Sequence, residues 1–320
     1  MKAMLKLAIT LACLTLFASA ASAQTFVRMV SGPSGGSWYP LGAKIMQVLG
    51  EEVKGISTSN GPGGGVSNIK DVNSKNAEIG WSYGHTAYNG YVGRGKFNKA
   101  QKDVRFFATL YPAAFQVAVK KDSPIKSFAD MKDKNLSPGK SGWTGTAFAE
   151  TILMAHGFSF KDVQANGGTV HFVDYSNSVA LMKDGHIDVF MAVTSVPQAS
   201  LIDLNFNPGI RFIGLEPKML VKILNDNPGF IKGVIPKTAY KDLPADVPTL
   251  GAATVMVVNK DLSPDLVYNL CKSFWKNHGE FAKVKKIWND VDVKAALDAA
   301  AIPVHPGAEK CYAEMGIKKN

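Results

Sequence analysis

Strand-forming and helix-forming segments alternate along this chain in two successive series, and that order admits few folds. In the first series "TFVRMVSG", "GISTSNG", "AEIGWSY" and "VRFFATLY" read as strands, with helices over 40–53 and 65–75 in the first two gaps. The first helix carries Leu41, Ile45, Val48 and Leu49 at helical spacing, whereas the strands are short and rich in β-branched and aromatic residues. "FQVAVKKD" extends the series, and "SPIKSFADMKD" predicts a short helix capped by Ser123 or Ser127. The second series reads "KNLSPG", a helix over 145–157, "TVHFVDY", a helix over 176–185 and "IDVFMAV". Strand–helix–strand units pair strands in parallel with helices on the faces, so the fold class is α/β, and two series predict two lobes. An internal echo agrees: "VSNIKDVNSKNAEIGW" (66–81) and "SNSVALMKDGHIDVFMA" (176–192) both run from Ser-Asn at a helix start to an acid inside a strand, Glu78 and Asp188. From Ser263 to Asn320 the chain reads as largely helical, with Pro264 in a first turn and a stripe of Leu266, Leu270 and Phe274.

The first 23 residues belong to a different class. "MKAMLKLAITLACLTLFASAASA" has Lys2 and Lys6, an apolar run from Leu7 to Phe17, and small residues Ala21-Ser22-Ala23 before Gln24. That is the pattern of a secretory signal peptide removed after Ala23. Its apolar run is about half of the ~20 residues a membrane span needs. Thr10-Leu11-Ala12 before Cys13 makes a poor lipoprotein signal, so the mature chain is expected to be exported and free. The formal charge of +10 falls to +8 once Lys2 and Lys6 are removed. The basic residues are scattered, and only Arg28, Arg94, Arg105 and Arg211 are arginines, with no stripe of arginine and aromatics; nucleic acid is excluded as a partner. A basic exported protein suits anionic solutes or anionic membrane faces. Cys271 and Cys311 are the cysteines of the mature chain, and an oxidising compartment leaves two readings, a disulfide or one buried and one exposed thiol.

Several short motifs suggest catalysis and fail on their companions. Gly32-Pro33-Ser34-Gly35-Gly36 fits the G-x-S-x-G nucleophile elbow, but none of His85, His156, His171, His186, His278 and His305 has a compelling triad context. Ser123-Pro124-Ile125-Lys126 fits S-x-x-K without the later S-D-N or K-T-G. Gly139-Lys140-Ser141 imitates the end of a P-loop, yet Lys134 stands where the first glycine is required. No metal-ligand spacing appears, and Asp184, His186 and Asp188 point different ways. The expectation is a protein that is not an enzyme and needs no cofactor.

Three Gly/Ser/Thr loops remain, "SGPSGGSWYP", "NGPGGGVSN" and "GKSGWTGTAF", each leading into a helix. In an open α/β sheet such loops lie beyond the carboxyl ends of strands, where ligands bind. A helix N-terminus offers unpaired N–H groups and a partial positive charge, so it seats an anion without an arginine. The alternative for each loop is that it only caps its helix.

Taken in order, these loops and strands resemble the TAXI family, the solute-binding proteins of one branch of TRAP transporters. "SGPSGGSWYPLG" is similar to the family's G-x-x-G-G-[ST]-Y-Y-P-x-G opening, with Trp38 for the first tyrosine. "GGGVSNIKDVNSKNAEIGW", "FFATLYP", "GWTGTAFAETILMAHGF" and "LMKDGHIDVFMAVTSVP" follow its later segments, with Trp143-Thr144 where Gly-Ser is usual. "VIPKTAY", "DVPTLGAATVMVV" and "HPGAEKCYAEMG" complete the match over nearly all of the mature chain.

The resemblance implies a type II periplasmic binding protein: two lobes with parallel or mixed sheets, joined by a two-segment hinge and closing like a flytrap. The crossings are expected near Tyr111–Ala114 and Gly251–Thr254, which assigns 24–112 and 254–320 to lobe I and 113–253 to lobe II. It also implies a periplasmic monomer that captures a small organic anion, a carboxylate or a glutamate-like acidic amino acid, between the lobes. TRAP membrane subunits would receive it for ion-gradient-driven uptake; presentation to a membrane sensor is the alternative, and a serine hydrolase using Ser34 a further one. The family's motif carries Gly36, Ser37, Tyr39, Asn68, Tyr111, Gly145 and Thr146 into the ligand site. Strand-end placement adds Ser67, Tyr83, Thr144, Thr194 and Ser195, and Trp38, Tyr39, Tyr83 and Trp143 are expected to size the pocket by apolar contact.

Overall fold

A computed structural model describes residues 24–227 and 230–318; the signal peptide expected over 1–23 lies outside the described residues. The chain opens with β1 (Thr25–Val30), α1 (Trp38–Glu52), β2 (Ile56–Gly61), α2 (Gly65–Asn73), β3 (Ile79–Tyr83) and α3 (Gly84–Val92). The predicted stripe of α1 is the face it buries: Leu41, Ile45, Val48 and Leu49 are at most 5 % exposed. Then come β4 (Val104–Lys120), the two-residue β5 (Leu136–Ser137), α4 (Thr144–Ala155), α5 (Phe160–Ala165), α6 (Tyr175–Lys183) and β6 (Val189–Thr194). α7 (Ala199–Phe206), β7 (Ile210–Phe212), α8 (Pro217–Asp226), β8 (Ile231–Ile235) and β9 (Val247–Asn259) follow. The C-terminal layer holds α9 (Pro264–Lys276), α10 (His278–Ala282) and α11 (Pro306–Glu314).

The strands form one mixed sheet in the order β2-β1-β3-β9-β4-β6-β5, with β7 beside β4 and β8 beside β9. β1 pairs in parallel with β2 and β3, and β5 with β6, as strand–helix–strand units require. The two long strands β4 and β9 run antiparallel to each other and serve both lobes of the α/β fold. β9 pairs with β3 through Thr254–Val258 and with β8 through Val247–Gly251, while β4 pairs with β6 through Ala114–Val119. Between those stretches Pro112, Ala113 and Ala114 lie opposite Ala253, Ala252 and Gly251, beyond a register shift.

Three local expectations are corrected. "VRFFATLY" and "FQVAVKKD" are one strand: Pro112, which lacks the ladder donor, sits exposed where the register slips, and the strand continues past it. "SPIKSFADMKD" makes only a 3-10 turn over Phe128–Met131, anchored by burial of Phe128 and Met131 and by Asp130 accepting from the Ser127 amide at 2.9 Å. "TVHFVDY" is no strand beyond a single bridge from Val170 to Leu136. There Asp174 caps α6 by accepting from the Asn177 amide at 3.0 Å, so helix begins at Tyr175.

The C-terminal layer is the most densely aromatic part. Trp288 packs against Trp81, Tyr111, Phe274 and Phe281 with ring centroids 5.2–6.2 Å apart. Cys271 of α9 and Cys311 of α11 are joined by a disulfide. Beside it the Tyr312 hydroxyl donates to the Phe107 carbonyl at 2.8 Å and accepts from the Trp275 indole at 3.2 Å, tying the layer to β4. Among the described residues no helix is long and apolar enough to cross a membrane.

Candidate functional site

Three helix N-termini meet at the seam between the lobes. The first is that of α1, entered through Gly36 and Ser37; the second is that of α2, entered through Gly64; the third, from the other lobe, is that of α4, entered through Trp143. Gly36, Ser37, Trp38, Gly64, Gly65, Trp143, Thr144 and Gly145 line one small void of about 20 Å³, completed by Pro33, Tyr83, Tyr175, Val193 and Thr194. That is room for about one water molecule. Neither α1 nor α4 has a side-chain cap. Among the described residues the amides of Thr144, Gly145 and Thr146 have no protein acceptor. Such first-turn amides project from the helix end and carry its partial positive charge.

Glycines let the seam close this far. A methyl group on Gly64 would stand 2.0 Å from Cδ1 of Trp143, and one on Gly65 2.2 Å from the Thr144 hydroxyl. Gly35, at φ +77°, brings its carbonyl to the side chains of Gln198 and Ser200, which both donate to it. Ser37 Oγ lies 2.6 Å from Ser195 Oγ and 3.3 Å from Thr194 Oγ1. Tyr83 donates to the Val193 carbonyl at 2.9 Å, and the Ser67 amide to the Gly142 carbonyl at 3.0 Å. These cross-seam contacts are all neutral.

The walls hold no formal charge. Among the described residues no lysine, arginine, aspartate or glutamate lines the void. Lys140 reaches the Trp143 ring at 5.9 Å but pairs with Asp174 at 3.7 Å. Burial, reinforced by the neighbouring Tyr175 and Tyr111, pushes the Tyr83 hydroxyl far above the usual tyrosine range, and burial raises Tyr175. Both phenols are therefore neutral donors.

The predicted site residues divide. Gly36, Ser37, Trp38, Tyr83, Trp143, Thr144, Gly145 and Thr194 border the void, and Ser195 touches Ser37 behind it. The other five are placed elsewhere. Asn68 is fully buried and donates to the carbonyls of Ser31 and Trp81 while accepting from the Gly64 amide, so its amide group has no free valence for a solute. Ser67 donates to the Gly64 carbonyl at 2.9 Å. Thr146 turns its hydroxyl back onto the Lys140 carbonyl at 2.7 Å, close to those of Gly139 and Pro138. By their side chains these three hold the loops rather than line the void. Tyr39 is 37 % exposed on the outer side, and Tyr111 is buried in the lobe core against Trp81 and Trp288. Sequence reasoning missed Tyr175, read as the end of a strand, and passed over Gly64 and Gly65 within a loop it had singled out. Ser34 is exposed and no part of the void.

The sequence profile of the NMT1-like family matches residues 29–316. Among solved structures the chain is similar to an ancestral arginine-binding protein bound to arginine, at 16 % identity and a TM-score of 0.48, over 83 % of this chain and 99 % of that one. It is also similar to the alkanesulfonate-binding protein of Xanthomonas axonopodis pv. citri bound to MOPS, at 12 % identity and a TM-score of 0.47, over 91 % and 83 % of the two chains. A third is the arginine-, lysine-, histidine-binding protein of Geobacillus stearothermophilus, at 14 % identity and a TM-score of 0.47, over 85 % and 97 %.

Proposed function

Starting from the fact that the chain belongs to the NMT1-like family, a family of periplasmic binding proteins, we propose that it is a solute receptor that holds a small organic anion at the seam between its lobes. The observation that carries this reading is the convergence of three helix N-termini, from both lobes, on a space with no charged wall. A hydrogen bond to a charged acceptor contributes roughly 1.5–3 kcal/mol, and each helix end adds about 0.3–1 kcal/mol. Immobilising a solute costs ~4–15 kcal/mol, so amides from both lobes are needed together, which couples capture to closure.

The motif order resembling the TAXI family supports a finer reading: a carboxylate ligand and delivery to TRAP membrane subunits in the periplasm, after the signal peptide is removed. The division into 24–112 with 254–320 and 113–253 belongs to the same proposal, with the hinge at the paired segments around Pro112 and Ala253. The protein acts by binding, and the exposed Ser34 supports no nucleophile.

Calorimetric titration of the mature protein with carboxylates and with their neutral amides tests the reading. The acids are expected to bind and the amides to fail. Equal binding of an acid and its amide, or no binding by any acid, would reject an anion seat.

A further inference from the structure

Beside the seat lies a second, larger space, partly open to solvent. It measures about 430 Å³, within the size range of small-molecule sites, and is lined from one lobe by Val66, His85, Thr86 and Phe97 and from the other by Phe148 and Thr151. Seat and chamber are next-door neighbours: Gly65 borders the seat and Val66 the chamber, Thr144 the seat and Ala147 the chamber. Thr86, on the chamber lining, brings its Oγ1 to 3.4 Å from Oγ1 of Thr144, on the seat lining.

The chamber differs from the seat in chemistry. Phe148, Phe230 and His85 form an aromatic wall with centroids 4.6–5.1 Å apart. Every charged group on the lining is already compensated: Lys96 pairs with Glu150 across the gap, and Asp226 with Lys222 at 2.8 Å. His85 is 9 % exposed and burial alone lowers its imidazole to about 3, so it is neutral; its Nε2 lies 3.0 Å from Thr86 Oγ1, and among the described residues its Nδ1 has no partner. A second charge on a solute would meet no unpaired counter-charge among the described lining residues, only neutral polar groups such as Thr86, Asn89, Thr151 and Asn227.

We propose that seat and chamber take one solute: its anionic head lies at the helix N-termini, and its uncharged aromatic or branched aliphatic tail fills the space between Phe97, Phe148 and Phe230. The inference deepens the anion-seat reading and rests on it. It selects amphiphilic monocarboxylates over acidic amino acids and dicarboxylates.

The mature protein is titrated with phenylacetate, acetate, succinate and phenylacetamide. Phenylacetate is expected to bind about ten- to a hundredfold tighter than acetate, the gain from burying a phenyl ring. Succinate should bind no tighter than acetate. If acetate or succinate matches phenylacetate, the chamber holds no tail and this inference falls while the seat stands. If no acid binds, or the amide binds like the acid, the seat itself fails and the inference with it. Thr151→Trp, which narrows the chamber from α4, should erase most of the advantage of phenylacetate over acetate; full retention would overturn the assignment. The wild-type series decides the matter even if that variant does not fold.

Discussion

Around Trp288 the chain packs four large rings against one indole and cross-links the helices beside them through Cys271 and Cys311; around Gly64 it sets backbone amides and hydroxyls against two indoles and a void the size of one water. Parting the first region would expose apolar area at about 25 cal/mol per Å² and is opposed by a covalent link. Parting the second exposes two indoles together with amides and hydroxyls, and water satisfies those polar groups as well as protein does. On the proposed reading the molecule opens at the seam while the C-terminal layer stays whole. On that reading binding and stability are carried by different residues, and substitutions should separate them.

The largest effect is expected in the layer. Replacing both Cys271 and Cys311 by alanine releases a loop closed over a separation of 40 residues and should cost about 4 kcal/mol of stability. Denaturant titration would read that loss, and solute affinity of the folded variant should hold. A comparable loss of affinity would mean that layer and seam are one unit. Next comes Gly64→Ala, whose new methyl meets Trp143 at 2.0 Å. Overpacking of this kind costs about 1–3 kcal/mol, here charged to closure, so affinity should fall about ten- to a hundredfold while the melting temperature of the unliganded protein barely moves. A variant that binds like wild type would show that the seam need not shut.

An effect that is smaller within the first pH unit below 6.5 sharpens the comparison through pH. Burial holds His85 at about 3 against an ordinary 6.5, so it is neutral in the folded chain where the unfolded chain takes up a proton. The stability it contributes is complete above 6.5 and is lost as pH falls through the interval from 6.5 to 3. The loss is about 1.4 kcal/mol for each pH unit below the ordinary value. His85→Phe should flatten that part of the stability profile; an unchanged slope would place the sensitivity in another group.

What the sequence could and could not disclose follows the same division. The alternation of segments such as "TFVRMVSG" and "IDVFMAV" with helical stripes is local, so β1, β6 and the helices after the glycine loops were legible, together with the residues at their ends: Ser37, Trp38, Thr144 and Gly145. The continuity of β4 was hidden because Pro112 reads as a strand breaker unless its register shift is known. Tyr175 was hidden because Val-Asp-Tyr has strand composition until Asp174 is seen to cap a helix. Asn68 and Thr146 have the right chemistry for a ligand, yet nearby carbonyls take their donors, a fact of three-dimensional distance alone. The chamber was invisible for the same reason: Phe148 and Phe230 are far apart in the chain but pack together in one lobe, and Phe97 joins them from the other lobe.

The central claim concerns amides, so amide resonances test it most directly. Proton–nitrogen correlation spectra of the mature protein, recorded as phenylacetate is added, should show the largest downfield amide-proton shifts at Ser37, Trp38, Gly65, Thr144, Gly145 and Thr146, saturating together. Shifts centred on lysine-rich surface away from those helix ends, with these six signals unmoved, would contradict it.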